Sequence, residues 1–222
     1  MSVLMVVAHP DDEVLGAGGT MARHARAGEP VDILFLADGV RARGEASDVA
    51  AGERRMAAAR NAAHVLGARP PRFLNLPDNR LDGMELLDIV QAIEAVIAEI
   101  GPDTIYTHHH GDLNIDHVLC QRAVLTACRP QPGSTVRRIF AMEIASSTEW
   151  NAPDGGFAPT RFVDIVETLE IKQQALRAYA EEMRPFPHAR SYEALEALAR
   201  WRGATVGRAA AEAFVVLREI EG

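Results

Sequence analysis

Short apolar runs alternate along this chain with longer stretches of helical period, and that alternation restricts the fold more than any other feature. Val3–Ala8, Val31–Ala37, Arg72–Leu76, Thr104–Thr107 and Arg138–Glu143 read as buried strands. Helices are expected from about Glu13 to Ala27, over an alanine-rich stretch ending at Leu66-Gly67, over Leu81–Ile100, and from about Asp116 to Cys128. Gly28-Glu29-Pro30, Asp38-Gly39 and Gly101-Pro102 punctuate the joins. Strands separated by helices make parallel pairs, so the expected fold is α/β, a Rossmann-like three-layer αβα domain with a mostly parallel central sheet. The last third reads as mostly helical, with a late strand at Phe214–Leu217. No repeat, low-complexity tract or linker divides the 222 residues, so a single domain over 1–222 is expected.

Composition narrows the partners. The chain is 48% hydrophobic and 24% charged, a globular balance, and 23 basic against 31 acidic residues give a net charge of −8. Such a surface repels nucleic-acid phosphates, so nucleic-acid binding is not expected. No apolar run approaches the ~20 residues of a membrane span. Val3–Ala8 has no basic segment before it and reads as a buried strand rather than a signal peptide. Cys120 and Cys128, on one helix, would stand about 12 Å apart, too far for a disulfide. They read as reduced core thiols of a cytoplasmic protein.

In an open sheet of this kind, ligands bind at the carboxyl ends of the strands where strand order reverses, usually between the first strand and the fourth. Those two strands are followed by the densest polar clusters. Ala8-His9-Pro10-Asp11-Asp12-Glu13 follows the first. Its acids suit a helix N-terminus, with Asp11 as N-cap, yet His9 and Asp12 can also converge on one point with Asp11 beside it. His108-His109-His110-Gly111-Asp112-Leu113-Asn114-Ile115-Asp116-His117 follows the fourth. Capping accounts for Asp112, Asn114 or Asp116 but not for four histidines as well. Together the clusters point to a shared metal site. Two imidazoles and a carboxylate with an open position suit catalytic zinc, and the same set suits non-haem Fe(II).

The paired AHPDDE and Asp-His motifs resemble the PIG-L/LmbE family of zinc-dependent N-deacetylases. Weaker blocks extend the resemblance over most of the chain: Leu36–Val40, Leu76–Asp82, Asp112–His117 and Ser146–Trp150. The resemblance implies that His9, Asp12 and His117 bind Zn2+ and that Asp11 is the general base toward a metal-activated water. Asp116 would orient an imidazole. It also implies an N-acetylated amino sugar, sugar nucleotide or glycoside as substrate. Many members carry a histidine three residues before the distal ligand, thought to stabilise the oxyanion. Here that position is Asn114, whose amide can donate a hydrogen bond but cannot carry a proton. His110 and His188 are therefore candidates for that role. Some members place a C-terminal histidine over the zinc, at times from a neighbouring subunit, so a homo-oligomer joins the expectation.

Other residues divide between chemistry and packing. Arg43, after Asp38-Gly39-Val40, is a candidate for gripping a charged substrate group, and Trp150 beside Glu149 for contact with a sugar ring. Gly16, Gly18 and Gly19 only loosely match a dinucleotide loop, because Met21 stands where its third glycine belongs, and they read as helix–sheet packing. His24 and His64 read as surface or interface residues. The competing functions are a sugar-nucleotide binder without hydrolase activity and a non-haem Fe(II) enzyme.

Overall fold

A computed structural model describes residues 1–37, 49–150 and 156–221. Among the described residues, seven strands form one sheet in the order β3-β2-β1-β4-β5-β7-β6. The strands are β1 (Val3–Val7), β2 (Val31–Ala37), β3 (Arg72–Leu76), β4 (Thr104–His108), β5 (Arg138–Met142), β6 (Arg161–Asp164) and β7 (Ala211–Glu219). The helices are α1 (Asp12–Arg26), α2 (Val49–Leu66), α3 (Leu86–Ile100), α4 (Ile115–Ala127), α5 (Leu169–Ala178) and α6 (Tyr192–Ala204). β3, β2, β1, β4 and β5 pair in parallel, while β7 runs antiparallel to both its neighbours. The expected mostly parallel α/β sheet is thus present, and the order reverses between β1 and β4.

Every residue of β1 is buried, because its period-two side chains feed two cores. Val3, Met5 and Val7 join a cluster that includes Val14 and Met21 of α1, Ala62 of α2 and Leu176 of α5. Leu4, Val6 and Ala8 join the opposite cluster, with Ile89 and Ile93 of α3 and Cys120 and Val124 of α4. These two cores make the three layers. A Cβ on Gly16 would overlap the Met142 sulfur, and one on Gly19 would lie 2.9 Å from Ile165. The glycines of α1 are therefore packing positions. Cys120 and Cys128 are buried free thiols, as expected.

The structure corrects three expectations. The helix foreseen over Leu81–Ile100 is a 3-10 turn at Leu81–Gly83, then extended backbone at Met84 and Glu85, then α3. The Leu81 amide is drawn away to the Asp116 carboxylate, at 3.1 Å. The last third holds two strands rather than one short one. β6 escapes the sequence because a four-residue edge strand with charged ends carries little periodic signal. His24 is half-buried rather than a free surface residue: its Nε2 lies 2.9 Å from the hydroxyl of buried Tyr106 and its Nδ1 2.5 Å from Glu29.

Candidate metal centre and active site

β1 and β4 end side by side, and their following turns bring the two polar clusters together. His9, Asp12 and His117 each offer a ligand atom, and these atoms all lie within 4.8 Å of one another. Asp12 Oδ2 stands 3.4 Å from His9 Nδ1 and 3.4 Å from His117 Nε2. Those separations match the edge of a tetrahedron with bonds of about 2.0–2.1 Å, the zinc–nitrogen and zinc–oxygen range. Asp12 Oδ1 and His117 Nε2 are buried without a hydrogen-bond partner among the described residues. Buried polar atoms rarely go unpaired, so these residues fit a cation.

A second group shares His9. Its Nε2 lies 3.1 Å from Asp78 Oδ1 and 3.3 Å from Asp116 Oδ2. Here each carboxylate carries a further bond. Asp116 Oδ1 accepts from the Leu81 amide, and Asp78 Oδ1 from Asn79 Nδ2 at 3.2 Å. An Nε2–H of His9 donated toward Asp116 leaves the Nδ1 lone pair facing Asp12 and His117. On the other imidazole, His117 Nδ1 stands 3.1 Å from Asp112 Oδ1. Asp112 is fixed in turn by the hydroxyls of Ser147, at 2.9 Å, and Thr148, at 2.5 Å. The buried ring of His108 stacks on His117 with centroids 3.9 Å apart, and its Nε2 accepts from the Ala8 amide.

The charges in this cluster act directly on one another. Burial opposes both ions, yet His117, His108 and His9 hold the Asp12 carboxyl well below its usual range. Burial also opposes the His117 imidazolium, but Asp12 and Asp112 push it up to about 9. Burial lowers His108 to about 3, assisted by its neighbour His117.

Asp11 holds the N-cap position of α1, as expected, but not through its side chain. Its φ of 114° lies outside the ordinary regions for a side-chain-bearing residue, and its carboxylate makes no capping bond. The backbone N–H instead donates to Glu13 Oε2 at 3.0 Å, while Tyr179 donates to the other Glu13 oxygen at 2.7 Å. Asp11 Oδ2 accepts from Arg190 Nη1 at 2.9 Å and from Arg55 Nη2 at 3.5 Å. Burial raises the Asp11 pKa to about 6, against the pull of the two arginines. A cavity of about 530 Å3, lined by His9, Asp11, Arg55, Asp78, Asn114 and Arg190 among others, opens beside it. That is the size of a small-molecule site.

The remaining sequence candidates separate. Asn114 lines the cavity and caps α4, its Oδ1 accepting from the Asp116 amide at 2.9 Å, while Nδ2 donates to Asn79 Oδ1 at 3.3 Å. His110 is exposed, with its ring 4.2 Å from that of His109. His188 is exposed, and its Nδ1 accepts the Arg190 amide at 3.0 Å. The structure brings neither histidine into the group around His9. Glu149 is occupied locally: its two oxygens accept the amides of Ser146 and Ser147 at 2.6 and 3.1 Å. Trp150 is 69% exposed. Arg43 lies outside the described residues. The sequence did not point to Arg190, Asp78, Tyr179 or the contact of Asp112 with His117, and Arg55 read as one of several solvated arginines. Of these, Asp78 and Asp112 carried a signal, since both stand in motif blocks.

A family model described as GlcNAc-PI de-N-acetylase, PIG-L, matches residues 4–128, more than half of the chain. The uncharacterized deacetylase YaiS of Escherichia coli K12 is 32% identical over 189 residues, covering 80% of this chain and 89% of its own. The 1D-myo-inositol 2-acetamido-2-deoxy-alpha-D-glucopyranoside deacetylase of Rhodococcus erythropolis is 30% identical, covering 83% of this chain and 82% of its own. The fold is also that of the 4-carboxy-2-hydroxymuconate hydratase of Pseudomonas putida, with a TM-score of 0.81 at 22% identity over 100% of this chain and 98% of that one. A hydratase on the same scaffold means that the fold alone does not select amide hydrolysis. No helix among the described residues is long and apolar enough to cross a membrane. With a family model matching more than half of its residues and a relative 32% identical over 80% of its length, the chain belongs to the PIG-L family.

Proposed function

We propose that this protein is a zinc-dependent hydrolase that removes an N-acetyl group from an amino sugar, sugar nucleotide or glycoside. The observation that carries the reading is the group His9, Asp12 and His117, with buried atoms unpaired among the described residues, set against Asp11 at the wall of one cavity. The deacetylase names of the relatives support the amide and the sugar. In this reading His9, Asp12 and His117 hold the ion, with Fe2+ as an alternative to Zn2+. When bound, the metal supplies Lewis acidity, polarising the acyl carbonyl and lowering the pKa of a water toward about 7. Asp11 takes the proton as the water oxygen bonds to the acyl carbon. It returns that proton to the amine nitrogen as the C–N bond breaks, releasing acetate and a free amine. Asp116 and Asp112 keep the two imidazoles turned toward Asp12. Asn114 uses one amide hydrogen on Asn79 and retains the other for the developing oxyanion.

A reducing, cytoplasmic setting belongs to the proposal and rests on the free thiols Cys120 and Cys128. Homo-oligomerisation belongs to it as well, and the solution mass read against that of one chain tests it. The function itself is tested by giving the zinc-loaded protein N-acetylglucosaminides with neutral, nucleotide and lipid aglycones, then assaying acetate and amine together. Equal release of both from at least one substrate is expected. A metal-loaded protein that releases neither from any of them contradicts the reading.

A further inference from the structure

We propose that Arg190 is a positioning residue for Asp11, acting as a strut between two strained turns. The inference rests on the reading of Asp11 as the base. Among the described residues, four other than glycine have positive φ, and two of them are Asp11, at 114°, and Ser146, at 75°. Arg190 touches both. Its Nη1 donates to Asp11 Oδ2 at 2.9 Å and its Nε to Ser146 Oγ at 2.7 Å. Asn75 and Asn79, the other two, have φ of 55° and 49°, close to the left-handed region that Asn and Asp visit, whereas Asp11 at φ 114° and ψ −29° lies outside it. Asp11 and Ser146 require outside support.

The segment that delivers Arg190 is itself fastened. The Arg184 amide donates to the Arg190 carbonyl, the His188 amide to the Pro185 carbonyl, and the Arg190 amide to the His188 ring. Ser191, the next residue, caps α6 by accepting the Ala194 amide at 3.0 Å. The guanidinium therefore hangs from a short closed loop joined to a helix start. Arg55 is no substitute, because it divides its contacts among Pro10, Asp11 and Glu182. Both arginines approach Oδ2, and no described residue bonds Asp11 Oδ1. One oxygen is held while the other is left to meet a water. This arrangement gives His188 a supporting place, its ring bonded to the backbone of the strut itself.

The test is a double-mutant cycle with Arg190→Ala and Asp11→Asn on zinc-loaded protein, read by turnover and by thermal unfolding. Arg190→Ala should lower kcat by about 10–100-fold, the scale of a misplaced reacting group, with KM and zinc content little changed. In the Asp11→Asn background the same change should cost no further turnover. Guanidinium ion at millimolar concentration should restore part of the lost kcat to Arg190→Ala but none to Asp11→Asn. Arg190→Lys, which keeps the charge but cannot span Asp11 and Ser146 together, should fall between Arg190→Ala and the unsubstituted protein. The midpoint shifts should be non-additive, because the pair is in contact. Additive midpoints, or an Arg190→Ala protein with normal kcat, overturn the inference and leave the deacetylase reading standing. Coupled midpoints in a zinc-loaded protein that releases no acetate overturn the parent reading, and the positioning role falls with it.

Discussion

Two buried ionic clusters lie within one helix length of each other, at opposite ends of the same logic. Beneath the middle of α1, Lys172 and Glu212 form an ion pair at 2.6 Å, with both side chains almost wholly buried. The helix is broken there, with Ala17 at φ −146° and ψ 20°. A break frees backbone groups, and the pair takes them up. Lys172 donates to the Leu15 carbonyl at 2.9 Å, and the Glu212 oxygens accept the amides of Gly19 and Thr20 at 3.0 and 2.7 Å. The charges are matched and the freed groups are paired. At the start of the same helix, by contrast, Asp12 and His117 have buried atoms with no partner among the described residues, and Asp11 sits at a strained φ. The difference separates buried charge that holds a shape from buried charge that is arranged for a ligand.

The largest expected effect breaks the comparison from the ligand side. His117→Ala should remove the bound metal and all measurable turnover while leaving the fold intact, as read by elemental analysis and circular dichroism. Asp11→Asn comes next: zinc is retained and turnover falls by roughly 10²–10⁴-fold. Retention of metal distinguishes the two roles inside one cluster.

Lys172→Met attacks the other cluster. Removing one partner of a buried pair costs about 3–5 kcal/mol, because the remaining charge is stranded. Denaturant unfolding should show that loss, with zinc stoichiometry unchanged in the folded fraction. Replacing both partners, Lys172→Met with Glu212→Gln, should recover part of it. If the single substitution is neutral, the clasp is not what completes the broken helix.

A smaller effect sharpens the contrast through pH. Asp12 and Asp112 raise the metal-free His117 to about 9, so at pH 7 the imidazole carries a proton that a metal must displace. Against its burial, Asp116, Asp12 and Asp78 raise His9 as well, so uptake should release on the order of one to two protons per ion, and affinity should rise as pH increases toward 9. The sign is fixed by the raised pKa. Titration calorimetry in buffers of different ionisation enthalpy measures the release. Uptake without proton release contradicts the charge assignment at His117.

The two clusters were unequally legible in the sequence, for physical reasons. β2 and β3 carry boundaries that apolar runs and turn residues define locally, and so does the end of α2. His9, Asp12 and His117 stand in dense motifs at strand ends, so their meeting followed from the topology. Arg190 lies 179 residues from Asp11 along the chain, and nothing local announces the contact. Lys172, the only lysine in the sequence, gave no hint of its partner, since Glu212 sits in a strand that the helical reading of the last third obscured. Glu149 misled in the opposite direction: a loop acid beside a tryptophan suggests a sugar contact, yet its oxygens close a turn. Local pattern locates the motif, whereas the residues that orient it come from tertiary packing.

On the proposed reading, the ion belongs on the Nδ1 side of His9, between Asp12 and His117. Anomalous X-ray scattering from crystals of the zinc-loaded protein, recorded on both sides of the zinc edge, tests it directly. The account predicts one strong peak within bonding distance of His9 Nδ1, Asp12 and His117. A peak on the opposite side of the same ring, bound by His9 Nε2, Asp78 and Asp116, or no peak at either place, would contradict it.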